Sequence, residues 1–494
     1  MIFVRIFVCE GKMIEIKDYP ELSRVIEIFE EISRIPRESG NRGPIADYLC
    51  GFARERGLEY HRDAADNVLI RCEATEGYES APAVILQGHT DMVLATDSRC
   101  THDPRSEGVR LVRDGDLLRA VGTTLGGDDG IAIAYALALI DGGAERHPTL
   151  EALFTSDEEI GLLGAGALEV SDFIKGRRLI NIDSDVEGVF IAGCAGGLRA
   201  DLRLPLEYES ADGDPYKLRL FGLLGGHSGA EIDKGRENGI KLLADALTEI
   251  SALFDCRIAS ICGGSADNAI PAFAEARIFV DRAKREQLLG ICSRLEEKYK
   301  RCEAGAALAL LPDAAEERSA LTRDSQTRLL SLLNEARTGV DKMSEEIPGL
   351  VESSENLGII ESDGEGVRIT FSVRSSKSKE KLRLKEALSA LAEKYGAEFS
   401  THGEYPAWEF KPDSALRTLM CRTYRDMYGK DAEVVAIHAG LECGILSEKI
   451  PGLDSVSLGP DNFDIHTPEE RLSLSSTKRV YEFLIKLLKD MKGN

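Results

Sequence analysis

The spacing of apolar positions divides the chain into two textures. Over residues 21–36, Val25, Ile26, Phe29 and Ile32 recur at helical spacing. Residues 44–56 repeat that spacing with Ile45, Tyr48, Leu49 and Phe52, so two amphipathic helices are predicted there. Short β-branched runs follow, Asn67-Val68-Leu69-Ile70 and Ala83-Val84-Ile85-Leu86-Gln87, the second ending at Gly88 just before His89. Residues 150–155 and 179–182 read as further buried strands. Residues 96–119 are a polar excursion, and glycines at 122, 126, 127 and 130 lead into an apolar helix over 131–140. Strands alternating with helices predict an α/β domain on a mainly parallel sheet, whose sites form beyond the carboxyl ends of the strands.

From about residue 190 the texture changes. Strands are predicted at 217–223, 276–280 and 367–373, and helices at 238–254, 284–300, 325–336 and 377–395. The recurring order suggests a second, α+β domain, with an internal duplication that leaves no detectable sequence repeat. From about residue 414 a helix, short strands at 433–437 and 455–458, and a last helix ending near 491 read as the remainder of the first domain.

Composition narrows the setting. A hydrophobic share of 43% with 30% charged residues is that of an ordinary soluble globular protein. The 61 Lys and Arg against 85 Asp and Glu leave a net charge of -24, a surface that repels phosphate backbones, so nucleic acid is not expected as a partner. No run is long and apolar enough for a membrane span. Residues 1–9 lack the h-region and cleavage site of a signal peptide, and a start at Met13 is the simpler reading. The 11 cysteines, with no CxxC pair, fit a reducing cytoplasm.

Chemistry concentrates in separated segments that hold Asp, Glu and His at predicted strand ends and turns. His89 and Asp91, two apart at a strand end, leave on one face, so the imidazole can bind a metal while the carboxylate orients a ligand. Taken alone, the pair reads equally well as a surface turn. Asp128, in the glycine-rich turn Gly126-Gly127-Asp128-Asp129-Gly130, can bridge two ions through its two oxygens; helix capping is the plain alternative. In Asp157-Glu158-Glu159, after a buried strand, one acid can ligate while its neighbour acts as general base, and a solvated acidic loop is the alternative. Asp183 closes a buried strand, where an unpaired carboxylate is costly. The stretch from Asp183 imitates a calcium loop, but Cys194 stands at its twelfth position. His466 follows Gly459-Pro460 in a loop. Together His89, Asp128, Glu159, Asp183 and His466 offer each of two ions a histidine, a terminal carboxylate and a share of Asp128. Asp91 and Glu158 are left for orientation and proton transfer. Such nitrogen and oxygen ligation suits zinc, with manganese or cobalt possible.

In this order the segments resemble the M20 family of metallopeptidases, and most of all its cytosolic dipeptidase branch, the aminoacyl-histidine dipeptidases. The resemblance runs over nearly the whole chain. It includes Gly88-His89-Thr90-Asp91-Met92-Val93, Leu125-Gly126-Gly127-Asp128-Asp129-Gly130-Ile131, Gly225-Gly226-His227-Ser228-Gly229, Asn268-Ala269-Ile270-Pro271, Val373-Arg374-Ser375-Ser376 and His466-Thr467-Pro468-Glu469, with residues 155–159, 179–184 and 437–444. It implies His89, Asp128 and Asp183 on one ion, and Asp128, Glu159 and His466 on the other. Glu158 is then the general base and Asp91 the orienting acid. It further implies a di-metal catalytic domain over 13–189 and 409–494, with a lid over 190–408 inserted in it. His227 of the lid would stabilise the oxyanion, and Asn268 and Arg374 would hold the substrate's polar ends. Asp129 departs from the Asn of many relatives and adds a negative charge near the ions.

The function expected is hydrolysis of dipeptides, Xaa-His among them, by a water bridging two divalent ions, in a cytoplasmic homodimer. An N-acyl amino acid deacylase on the same site and a catalytically silent peptide-binding protein are the alternatives. Intact Asp91, Glu158 and His227 argue against silence.

Overall fold

The computed structural model describes residues 14–169, 173–314 and 318–492. The expectations for residues 1–9 and for a start at Met13 lie outside the described residues. The chain forms two compact units: one of Met1–Gly193, Phe410–Ala436 and Leu441–Asn494, the other of Cys194–Glu409 and Ile437–Gly440. The sequence assigned residues 437–440 to the tail of the first domain; in the structure they group with the second unit. No helix among the described residues is long and apolar enough to cross a membrane.

The first unit is built on strands β1 (Glu59–Arg62), β2 (Val68–Cys72), β3 (Val84–His89), β4 (Leu150–Thr155), β5 (Arg178–Asn181), β6 (Val189–Cys194), β7 (Glu433–Ile437) and β8 (Asp454–Ser457). Their order across the sheet is β1-β2-β4-β3-β5-β8-β6-β7. The centre, β4-β3-β5-β8, is parallel, and β1 and β2 on one side and β6 on the other run antiparallel to their neighbours. A parallel centre is covered on both faces, and every residue of β3 and β4 is buried. Helices α1 (Ser23–Ser33), α2 (Gly43–Glu55), α3 (Gly127–Ala138), α4 (Ala415–Tyr428), α5 (Glu442–Lys449) and α6 (Leu474–Asp490) complete the layers.

The crossover from β3 to β4 runs through α3. From Asp129 to Ala138 it is buried on all sides, so it lacks a polar face and lies inside the unit, against α1 and β3. Tyr135 of α3 stacks on Tyr481 of α6 with ring centroids 5.7 Å apart and donates its hydroxyl to the Thr477 carbonyl at 2.8 Å.

Within the stretch read as a polar excursion, Leu111–Asp114 and Leu117–Ala120 form an antiparallel hairpin. Asp114-Gly115-Asp116 makes its turn, with Gly115 at φ +61°. The hairpin continues a small sheet through Arg471–Ser473 to Asn462–Phe463. Those two short strands bracket the loop that carries His466, so the overlooked hairpin is part of its support.

The second unit has a nine-stranded sheet that is antiparallel at every described pairing. One half contains strand Asp214–Phe221, helix Gly239–Leu253, strands Arg257–Gly263 and Ala274–Val280, helix Arg285–Lys300 and strand Ala307–Pro312. Its strands lie in the order fourth, first, third, second. The other half contains Gly196–Pro205, helix Arg323–Glu335, Val351–Ser362, Gly366–Ser375, helix Ser378–Tyr395 and Glu398–Tyr405, and shows the same order read from the opposite edge. These are two split βαβ motifs joined where Cys262 and Gly263 pair with Glu361 and Ile360. The first half is inserted between the first strand and first helix of the second.

Candidate metal centre

Parallel strands deliver the acidic residues to one edge. β3 ends at His89, whose register partner on β4 is Thr155; Glu158 and Glu159 follow just beyond. Gln87 pairs with Asn181 at the end of β5, two residues before Asp183. Asp128 opens α3, and its peptide bond to Asp129 is cis.

The geometry centres on Asp128. Its Oδ1 lies 2.9 Å from His89 Nε2 and its Oδ2 3.2 Å from His466 Nε2. His466 Nε2 is also 2.9 Å from Glu159 Oε1, and His89 Nε2 is 3.8 Å from Asp183 Oδ1. Three sets of donor atoms each fall within 4.8 Å of one another: His89, Asp128 and Asp183; Asp128, Glu159 and His466; and His89, Glu158 and Glu159. His466 is presented from a left-handed backbone position, φ +62°, with Asp464 at φ +51° in the same loop. Residues with side chains seldom take that conformation. Here the loop is held by Arg471 on the Asp464 carboxylate and by Thr467 Oγ1 on the Asp464 carbonyl at 2.7 Å.

Asp91 holds both halves of this arrangement. His89 Nδ1 lies 3.1 Å from its carbonyl oxygen and 3.4 Å from its Oδ1. The same carboxylate accepts the backbone N–H of Glu158 at 2.9 Å and of Glu159 at 3.3 Å, and the Ser39 hydroxyl at 2.8 Å. One buried side chain therefore fixes the orientation of an imidazole and of two neighbouring acids. Asp157, at φ +50°, turns the chain just before Glu158 and accepts the Gly40 N–H at 2.6 Å.

Electrostatics show what the cluster requires. Burial, then the charges of Asp129 and Asp128, push Asp183 well above the usual carboxylate range. Burial pushes Glu158 up to about 8, with Glu442, Glu159 and Asp128 adding to it. Asp128 resists burial and stays low because His466 and His89 hydrogen-bond to it. Those bonds carry His466 up to about 10, and against burial they raise His89 well above an ordinary imidazole. Anions outnumber cations at a buried place, so protons or metal cations must balance them. Mixed imidazole and carboxylate donors at these separations fit a pair of divalent ions. Asp129 is 1% exposed and accepts the His89 N–H at 3.1 Å. Burial raises its carboxyl well above the usual range.

Beneath these residues lies a buried polar chain that the sequence reading missed. Asn181 Nδ2 donates to Gln87 Oε1 at 2.7 Å, and Gln87 Nε2 and Thr155 Oγ1 each donate to Glu442 Oε2 at 2.6 Å. It ties the ends of β5, β3 and β4 to the start of α5. The available signal was a polar side chain at the end of each apolar strand.

In the second unit, His227 stands on the two-residue strand Gly226–His227, paired with Ala269–Ile270. Its Nδ1 accepts the backbone N–H groups of Gly229 at 3.3 Å and Ala230 at 3.0 Å, which places the ring hydrogen on Nε2. Burial and the Arg374 charge lower its pKa. Arg374 is 7% exposed; Nη1 donates to the Tyr405 hydroxyl at 3.0 Å, while Nε has no hydrogen-bond partner among the described residues. Asn268 is half-buried and its carbonyl accepts the Ser228 N–H at 2.8 Å. His438 was not singled out from the sequence. It is buried, bonded through Nε2 to Ser354 Oγ at 2.7 Å, and lowered to about 3 by burial and by Arg374. The predicted residues thus fall into two groups: His89, Asp91, Asp128, Glu158, Glu159, Asp183 and His466 in the first unit, and His227, Asn268 and Arg374 in the second.

The chain matches the model of Peptidase family M20/M25/M40 over residues 85–490. It is 36% identical over 470 residues to the cytosol non-specific dipeptidase of Escherichia coli (strain K12), covering 94% of this chain and 97% of that protein. The crystal structure of aminoacylhistidine dipeptidase from Vibrio alginolyticus is similar with a TM-score of 0.85 at 32% identity, covering 94% of this chain and 96% of that one. A tripeptidase from Staphylococcus aureus shares the fold at a TM-score of 0.56 and 17% identity, with 95% and 98% coverage.

Proposed function

This chain belongs to peptidase family M20/M25/M40, and from that premise we propose that it is a metal-dependent dipeptidase. His89, Asp128 and Asp183 would hold one divalent ion and Asp128, Glu159 and His466 the other, zinc first, with manganese or cobalt as alternatives. Bound there, the ions supply Lewis acidity and positive charge against the developing oxyanion. The observation that carries this reading is the Asp128 carboxylate, which offers one oxygen to each of two imidazoles.

The chain's own groups divide the remaining work. Glu158 removes a proton from the attacking water and returns it to the leaving amine. Asp91 keeps Glu158 and His89 in place. His227, with its hydrogen on Nε2, is ready to donate to an oxyanion as a neutral imidazole. Arg374 and Asn268 are assigned to the substrate's polar ends, and the second unit to the role of a lid. The names of two similar proteins, a non-specific dipeptidase and an aminoacylhistidine dipeptidase, support dipeptides as the substrate class. Free thiols at Cys50, Cys256 and Cys292 fit a cytosolic home. A homodimer rests on the family resemblance, and light scattering on the purified protein tests it.

Glu158→Gln should keep its metal content and lose about 10²–10⁴-fold in kcat. Its assay uses a panel of dipeptides with and without C-terminal His, longer peptides and N-acetyl amino acids, each with added zinc, manganese or cobalt. Wild-type protein that hydrolyses only N-acetyl amino acids, or nothing, would refute the dipeptidase reading.

A further inference from the structure

The turn that carries Asp128 is gripped from two sides by residues from opposite ends of the chain. The Glu470 carboxylate accepts four successive backbone N–H groups: Oε2 takes Leu125 at 2.7 Å and Gly126 at 2.9 Å, and Oε1 takes Gly127 at 2.9 Å and Asp128 at 3.3 Å. Asn462 Nδ2 adds a fifth donor at 3.2 Å. On the other side Arg37 Nη2 donates to the Gly126 carbonyl at 2.5 Å, and Nη1 donates to the carbonyls of Thr90 at 3.1 Å and Asp91 at 3.2 Å. Both side chains are only 2% exposed.

Their close approach explains the glycines. A Cβ on Gly126, which sits at φ +71°, would come within 2.5 Å of Arg37 Nη2, and one on Gly130 within 2.6 Å of the same atom. A Cβ on Gly127 would meet Asn462 Nδ2 at 3.0 Å and Glu470 Oε1 at 3.2 Å. The Gly-Gly-x-x-Gly spacing is thus what lets a guanidinium and a carboxylate reach the main chain.

Three ligand-bearing loops meet in this grip. Arg37 joins the turn before Asp128 to the carbonyls just after His89, and Glu470 follows His466 in its loop and ends its row of contacts on the Asp128 N–H. We propose that Arg37 and Glu470 are positioning residues that fix Asp128 between His89 and His466 and thereby set the spacing of the two ions. The proposal rests on the two-ion reading of the site.

The test uses the full chain, stripped of metal and titrated with Mn²⁺ by calorimetry, with electron paramagnetic resonance of the loaded protein to read the coupling of a Mn²⁺ pair. Glu470→Gln turns an acceptor toward donors, and Arg37→Lys keeps the charge but loses the fork that spans two sets of carbonyls. Each should weaken binding of the second ion by about 10–100-fold and change the pair signal. In the activity assay kcat should fall more than KM rises. If both folded variants bind two ions with wild-type affinity and wild-type signal, the grip is merely structural and the proposal is overturned. Should Glu470→Gln not fold, Arg37→Lys decides by the same readings. Arg37→Lys matching wild type while Arg37→Gln fails would show that charge alone acts, which also overturns it. Wild-type protein that binds two ions yet cleaves no amide would instead remove the hydrolase reading, and the titrations would still judge the grip.

Discussion

Histidine is tuned in opposite directions in the two units. His89 and His466 are raised because carboxylates converge on their Nε2 atoms. His227 and His438 are lowered by burial and by the neighbouring Arg374. The first cluster is an excess of anions at a sheet edge and calls for cations. The second is a set of neutral and positive donors, with Arg374 Nε unpartnered among the described residues, and suits groups that carry or develop negative charge. Under the proposed function, the first cluster would activate water, and His227 and Arg374 would meet the oxyanion and the terminal carboxylate.

Substitutions can break this contrast, starting with the largest effect. Asp128→Ala should reduce bound metal from two ions to one at most and bring peptide hydrolysis to background, measured by metal analysis beside the assay; retention of both ions would end the bridging role. His227→Ala should lose about 10²–10³-fold in kcat while metal content stays at the wild-type level. A drop in bound metal there would erase the division between the clusters. Arg374→Lys keeps a charge but not the planar fork, so KM for dipeptides should rise about tenfold, with kcat much less affected. An unchanged KM would remove Arg374 from substrate contact.

The remaining effect is one of stability, and it is read as a slope against pH. His438 has a folded pKa of about 3 against 6.5 when unfolded, so between those values only the unfolded chain binds the proton. Stability should therefore fall as pH drops below 6.5, by about 1.4 kcal/mol per pH unit from this group. His438→Gln should flatten that slope in acid-unfolding titrations; an unaltered slope would show that other groups dominate.

Much of the first unit was legible because parallel, doubly covered strands are continuous apolar runs and its acids stand where those runs stop. Residues 84–89, 150–155 and 178–181 announce themselves in this way. The strand Val351–Ser362 did not, because Glu352, Ser353, Ser354, Glu355 and Asn356 are all buried in it, and no hydropathy pattern marks buried polar residues. Arg37, Glu442 and Glu470 escaped for a related reason. They act on backbone atoms or on other supports, far away in sequence, and nothing in their local spacing reveals such a target. His466 was found only through its motif, since the hairpin at 111–120 and the strands at 462–463 and 471–473 that frame it are too short to stand out.

The placement of β8 has a consequence for how the protein is made. Residues 454–457 supply the last parallel strand at the centre of the first sheet, beside β5, which leaves the ribosome far earlier. In the second unit, the strand Gly196–Pro205 likewise waits for Gly366–Ser375 and Glu398–Tyr405. Neither sheet can close while most of the chain is still unmade. The nascent protein therefore carries exposed apolar strand edges through most of its synthesis, and its yield in a cell should depend on chaperone capacity more than that of a protein whose domains follow one another along the chain.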